Sequence, residues 1–298
     1  MGNERGSAIA DGLPLGRQLD RLVNAHCAIK AAPPTGDEIG FICSAFVRFP
    51  LPHGPSGSEF ARFDGNLKAT FMCPSDIGLP YGRVPRLLLI HFTTQVVREQ
   101  SRDIALGSSL SGFMKSLFTS PTGGRNGSIR SFKDQLLRTL SLSTTQSLLS
   151  TESARLYNAP VVDEFEIHWS ALEGNPRSGL PARLRLGERM YNEMLTRAVP
   201  VDLRAVKALQ QSALALDTYF WTTYRVHGGW RTLPARIAWS SLHQQFGNAY
   251  ASQSDFTIAF RRALEHVQMV YPALRCSTTD AHLVLYRSSP SVPRRSGR

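Results

Sequence analysis

Two nine-residue stretches, 124 residues apart, carry the same pattern of apolar positions. Phe132-Lys-Asp-Gln-Leu-Leu-Arg-Thr-Leu140 overlays Phe256-Thr-Ile-Ala-Phe-Arg-Arg-Ala-Leu264, with Phe, an apolar residue and Leu coinciding at 132/256, 136/260 and 140/264. Apolar residues four apart lie on one face of an α-helix. Each stretch therefore predicts a helix with one buried side, from Ile129 to about Leu142 and from Phe256 to Tyr271.

The surroundings repeat as well, and this constrains the fold more than the overlay does. In the second half, a short helix from Asp202 to Leu209 precedes one from about Ser212 that buries Leu216, Tyr219, Phe220 and Thr223. A brief strand at Arg236-Ile237-Ala238, a short helix from Trp239 to Phe246, the Phe256 helix and a hairpin from Arg275 to Arg287 around Thr279-Asp280 complete the set. In the first half, Pro85 sits where a helix begins, and Leu88, Phe92 and Val96 recur every four residues. A strand from Asp103 to Leu106, a helix capped by Ser108 or Ser109 with Leu110, Phe113, Met114 and Leu117 inward, and the Ile129 helix follow. Strand-like stretches at Ala154 to Tyr157 and Val161 to Trp169 then read as a hairpin. Helix, strand, helix, helix, hairpin thus occurs twice. Upstream, Ile39 to Phe49 and Phe60 to Cys73 read as strands of a small sheet.

A helix-turn-helix braced by a hairpin is the winged-helix arrangement, whose third helix enters the major groove of DNA. The predicted class is α+β: two tandem winged-helix domains, at 37–197 and 198–287. They are flanked by a flexible N-terminal arm, 1–36, and a basic disordered tail, 288–298.

Charge agrees with a polyanionic partner: Lys and Arg exceed Asp and Glu by 34 to 23, for a net charge of +11. No stretch approaches the roughly 20 apolar residues of a membrane span. Leu13 to Val23 is broken by Arg17, Asp20 and Arg21, so no secretory signal is expected. A soluble cytoplasmic chain with no membrane partner follows. Cys27, Cys43, Cys73 and Cys276 are far apart, which disfavours a zinc knuckle or disulfide framework and predicts mostly buried thiols.

On the Phe256 helix and its approach, Gln253, Ser254, Thr257, Arg261 and Arg262 avoid the apolar stripe and are the groove-facing candidates. Arg suits a guanine edge, and Gln or Thr an adenine edge or phosphate. Arg275 and Arg287 flank the hairpin as phosphate contacts. In the first half, Arg130, Lys133, Gln135 and Arg138, with Lys115 on the preceding helix, take the corresponding part. Adjacent arginines on an amphipathic helix also fit a solvated, ion-paired face, with Glu265 four residues after Arg261. Tyr219, Phe220, Trp221, Tyr224 and Trp239 have the spacing of core residues, not of base-stacking platforms.

No catalytic constellation is visible. Gly123-Gly-Arg-Asn-Gly-Ser lacks the Gly-Lys-Ser/Thr ending of a phosphate loop. His91, His168, His227, His243, His266 and His282 are scattered, with no His-x-His pair to hold a nickase metal. Asp163, Glu164 and Glu166 alternate along a strand. A non-enzymatic protein with no metal, cofactor or small-molecule substrate is expected.

Many short segments in order resemble one family. Leu79-Pro-Tyr-Gly, Pro85-Arg-Leu-Leu-Leu, Val97-Arg-Glu-Gln-Ser-Arg, Leu106-Gly-Ser-Ser-Leu, Phe113-Met and Gly123-Gly are similar to the plasmid-encoded RepA replication initiators. So are Val199-Pro-Val-Asp-Leu-Arg-Ala-Val-Lys-Ala-Leu, Ala215-Leu-Asp-Thr-Tyr, Gln245-Phe-Gly, Phe260-Arg-Arg-Ala-Leu and Tyr271-Pro. Gly228-Gly-Trp-Arg departs from the more basic or polar link of relatives. The resemblance implies tandem winged-helix domains that bind direct repeats in double-stranded origin DNA and open it. It further implies recruitment of the host initiator DnaA and the replicative helicase, and dimers that repress their own gene. A winged-helix transcriptional repressor is the alternative reading; an origin-nicking enzyme is disfavoured by the residues above.

Overall fold

In the computed structural model, residues 15–65, 67–125, 127–149, 154–167, 183–227 and 234–293 are described. The chain is a mixture of helices and small antiparallel sheets. Helix α1 (Leu15–Ala31) leads to β1 (Ile39–Cys43) and α2 (Ser44–Arg48). Next come the hairpin β2 (Glu59–Asp64) and β3 (Leu67–Met72), then α3 (Arg83–Glu99), β4 (Asp103–Ala105), α4 (Leu110–Ser116) and α5 (Ser128–Leu140). Strands β5 (Ser143–Leu149), β6 (Ala154–Pro160), β7 (Val162–Glu166) and β8 (Arg183–Leu186) precede α6 (Glu188–Thr196). The remainder is β9 (Ala198–Asp202), α7 (Leu203–Leu209), α8 (Ala213–His227), β10 (Ala235–Ala238), α9 (Trp239–Phe246), α10 (Gln253–Val270), β11 (Cys276–Thr278) and β12 (His282–Leu285).

The repeated order is present in three dimensions. α3, β4, α4 and α5 are completed by a sheet in the order β4-β8-β7, and α8, β10, α9 and α10 by one in the order β10-β12-β11. In both, the strand between the helices pairs with the second strand of the later hairpin. The aligned helix residues are all buried: Phe132 with Phe256, Leu136 with Phe260, Leu140 with Leu264. Aromatic rings bind each helix trio together. Phe113 of α4 meets His91 of α3 and Phe132 of α5 edge-on at 5.1 and 5.7 Å. Phe260 of α10 lies 5.5 to 6.4 Å from Phe256, Phe246, Trp239 and Trp221. Tyr219, Phe220, Trp221 and Trp239 are buried as core.

Five sequence expectations change, the first being the disordered tail from 288: Val292 is buried, Ser291 Oγ lies 2.7 Å from the Tyr219 hydroxyl, and the Tyr271 hydroxyl donates to the Ser289 carbonyl at 2.7 Å. The hairpin of the first unit is not 154–169: its strands are β7 and β8, whereas β6 pairs with β5 in a four-stranded sheet, β2-β3-β5-β6. The polar run Ser143-Thr-Thr-Gln-Ser hides β5, because it lacks the apolar alternation that marks a strand in the sequence. His168 and Trp169 of the expected strand lie outside the described residues, as do Gly228-Gly-Trp-Arg and 294–298 of the tail. Ile39 to Phe49 is a strand followed by a helical turn, and 60–73 falls within a hairpin turning at Gly65, whose φ is +60°. Residues 15–31, expected within a loose arm, form α1: Leu22 is buried, His26 Nδ1 contacts the Met269 carbonyl oxygen of α10 at 2.7 Å, and Arg204 donates to the Ala28 and Ala32 carbonyls at 3.2 Å.

The two units share one hydrophobic core. β1 and β9, on opposite sides of position 197, pair antiparallel from Ile39–Asp202 to Cys43–Ala198, symmetrically about Phe41 and Pro200. Each leads directly into a helix, α2 or α7, and has the same alternation of buried residues. A Cβ on Gly40 would stand 2.5 Å from Leu203 Cδ2, so glycine lets β1 approach α7.

Candidate nucleic-acid interface

α10 is the third helix of the second unit's trio. Ser252 caps it by accepting from the Asp255 N–H at 3.1 Å, and Phe256, Phe260, Leu264 and Val267 bury one side. Gln253, Ser254 and Arg262 are exposed on the other, and Thr257 is half-buried with its hydroxyl donating to the Gln253 carbonyl at 2.8 Å. Arg262 makes no hydrogen bond or ion pair among the described residues.

The two arginines differ. Arg261, expected beside Arg262 on the groove face, leans back instead. Its guanidinium donates to the Thr279 carbonyl at the tip of the β11–β12 hairpin (2.8 Å) and lies over the Trp239 ring, 5.3 Å from its centre. It thus ties helix to hairpin, and Glu265 does not pair with it. Arg275 and Arg287 are exposed at the base of that hairpin, where Tyr286 N–H donates to the Arg275 carbonyl at 2.9 Å. Two outward residues were not read from the sequence: Arg236 on β10 and Ile258, 61% exposed on α10. Ile258 lies within the aligned nine residues but off their apolar stripe, and that position was the available signal.

The turn into α10 is braced from the segment ahead of the first unit, by β2 and α2. Arg62, buried on β2, donates to the Pro50 carbonyl at 3.2 Å, bonds Asn248 Oδ1 and stacks on Phe60. Burial pushes its guanidinium down to about 9. Gln245 donates to the Arg48 carbonyl at 2.7 Å.

The corresponding surface of the first unit is more heavily committed to structure. Arg130 on α5 and Lys115 on α4 are exposed, and Lys133 is half-buried. Gln135, expected outward, is buried: its Oε1 accepts from the Tyr81 N–H at 2.8 Å and its Nε2 donates to Asp134 at 3.1 Å. Arg138 bonds Asp134 at 2.8 Å and the Leu79 carbonyl at 3.3 Å, with its guanidinium 5.7 Å from the Tyr81 ring centre. Both side chains hold the Leu79–Tyr81 segment, because α5 packs its C-terminal half on that loop. Ahead of α5, Thr122 and Ser128 bond reciprocally at 2.9 Å; a Cβ on Gly127 would collide with the Thr122 carbonyl at 2.3 Å.

No helix among the described residues is long and apolar enough to cross a membrane, and no group of three metal-ligating side chains occurs among them. Cys43 is buried, Cys73 and Cys276 half-buried and Cys27 exposed. Burial pushes Cys43 up to about 12 and Cys73 and Cys276 to about 11.

Fold and surface together define a class: an α+β chain of two repeated helix, strand, helix, helix, hairpin units sharing one core, one unit presenting a helix on which Arg262 is exposed and unpaired. The chain belongs to the plasmid-encoded RepA protein family, whose sequence profile matches residues 79–232. That span runs from the Leu79–Tyr81 segment through α8 and stops before α10. Among solved structures, selenomethionine derivatives of domain 2 and domain 3 of RctB are similar in fold, with a TM-score of 0.51 at 12% identity, covering 82% of this chain and 97% of that one. No curated protein matches the sequence.

Proposed function

We propose that the protein initiates plasmid replication by binding repeated sites in double-stranded origin DNA through two winged-helix modules, α3–β8 and α8–β12. The observation that carries this is the outward face of α10: a capped helix, buried on its other side, with exposed Gln253, Ser254 and Arg262, on a chain of net charge +11. A helix buried on its inner side and unpaired on its outer side suits insertion into a major groove, while the exposed Arg275 and Arg287 at the base of the hairpin and Arg236 on β10 suit phosphates. Family membership turns DNA binding into replication.

On this reading the first module contributes Arg130 and Lys115 to backbone contacts and α10 reads bases. Binding promotes origin opening and brings DnaA and the replicative helicase to the site in the bacterial cytoplasm. A dimer of the same chain represses its own promoter. We assign it no catalytic step.

Footprinting of the full chain on its plasmid tests this. Protection of an array of direct repeats beside the gene is the expected result. Protection of a lone inverted repeat at a promoter would replace the initiator by a repressor, and no protection would overturn DNA binding itself.

A further inference from the structure

Ile258 is a large apolar side chain left 61% exposed in the middle of α10. It stands one turn after Ser254 and one turn before Arg262, both exposed, so the three form one outward stripe. The core does not require it, because Phe256, Phe260, Leu264 and Val267 already fill the inner side. Local structure does not favour it either: a β-branched residue at an exposed helix position is a poorer helix former than Ala, Lys or Glu.

The internal repeat supplies a control. Under the 124-residue overlay, Ile258 and Arg262 correspond to Asp134 and Arg138 of α5. Those two bond each other at 2.8 Å, and Arg138 turns back onto the Leu79 carbonyl and Tyr81. On α10 the acid is replaced by an isoleucine, and the arginine is left without a partner on an open surface. The same two positions are closed in one unit and open in the other.

We propose that Ile258 is a specificity-determining residue that packs on the 5-methyl group of a thymine in the major groove, next to the base or phosphate held by Arg262. This rests on α10 being the DNA-reading helix. The major-groove edges of the four base pairs offer hydrogen-bonding groups and a single apolar group, the thymine methyl. An isoleucine pressed against any other edge would strip water from polar atoms and return no bond.

The test uses the protected site. Each thymine beneath α10 is replaced in turn by deoxyuridine, which removes only the methyl, and binding by the full-length wild-type chain and by Ile258→Ala is measured by fluorescence anisotropy. One replacement weakens wild-type binding by about fourfold, the value expected for one buried methyl. The same replacement leaves Ile258→Ala unchanged. Uniform indifference of the wild type to deoxyuridine, with Arg262→Ala still weakening binding, overturns this inference alone. An undiminished deoxyuridine effect in Ile258→Ala also overturns it. Failure of the wild type to bind double-stranded DNA overturns the initiator reading and this inference with it.

Discussion

Arg86 and Asp217 meet as a bidentate ion pair inside the protein, Nε to Oδ1 at 2.7 Å and Nη2 to Oδ2 at 2.6 Å. The pair joins the first helix of one unit to the first helix of the other. The remaining guanidinium protons go to the Leu51, Pro52 and Gly82 carbonyls, and Oδ2 also lies 2.8 Å from His53 Nε2. Every donor of the arginine is satisfied, which is the condition for burying it.

Breaking this pair leaves a buried charge without a partner. Asp217→Ala is expected to lower stability by about 3–5 kcal/mol, read from urea unfolding. A double variant, Arg86→Leu with Asp217→Leu, should recover part of that loss, since it buries no charge. Additive losses in the double variant would show that the pair is not coupled as the geometry requires.

Acidification should destabilise the protein in two stages. Burial pushes His91 down to about 4, and it accepts a hydrogen bond from Gln95 Nε2 at 2.7 Å that protonation would remove. Burial also lowers His53, against the pull of Asp217. Their unfolded values lie near 6.5, so the unfolded chain takes the proton first. Their contribution is complete above about pH 6.5 and declines as pH falls below it, for His91 down to about 4. Burial opposes ionisation of Asp217, but Arg86 and His53 outweigh it and hold the carboxyl below its ordinary value. Its contribution is present above about pH 4 and is lost below. Urea midpoints from pH 7 to 4 should fall steadily, and His91→Leu should remove about 3 kcal/mol of that fall. A wild-type profile flat over this range would contradict the burial of these imidazoles.

Arg261 and Arg262 should separate under substitution. Arg262→Ala removes an unpaired exposed guanidinium: unfolding stays unchanged and specific binding weakens by roughly tenfold or more, the range for one arginine on a base edge. Arg261→Ala removes the bond to Thr279 and the contact with Trp239, so it lowers thermal stability measurably and weakens binding through the hairpin. Equal unfolding curves for the two variants would refute the distinction.

The repeat of helices was legible because apolar spacing reports the buried face directly, and Phe132, Leu136 and Leu140 with Phe256, Phe260 and Leu264 are all core. β5 and β8 were not, because Ser143-Thr-Thr-Gln-Ser and Arg183-Leu-Arg-Leu become strands through pairing partners distant in the chain. Side-chain direction was legible only to one face of a helix. Gln135 and Arg138 sit at polar positions of α5, yet the loop they hold lies 54 to 59 residues away. The family-like segments have a similar explanation: Tyr81, Arg86 and Asp217 fall in three of them and make contacts that fix the fold. A motif matched there reports architecture, whereas the proposed reading face on α10 lies beyond the matched 79–232.

Salt dependence can apportion the interface between the two units. Each phosphate neutralised by the protein contributes about 0.9 to the fall of log K with log salt on duplex DNA. Arg275 and Arg287 on the second unit, and Arg130 and Lys115 on the first, are exposed cations on separate elements, so replacing them should not disturb the core. Arg275→Ala with Arg287→Ala should flatten the slope by about 1.8 if both touch phosphate, and Arg130→Ala with Lys115→Ala by the same amount. Arg262→Ala distinguishes the base reading from a phosphate contact: a base contact lowers affinity on the specific site far more than on random duplex, while a phosphate contact lowers both alike. If only the Arg275 and Arg287 pair changes the slope, the exposed cations of the first unit lie outside the DNA contact, and α10 is braced instead by β2 and α2 through Arg62 and the Arg48 carbonyl.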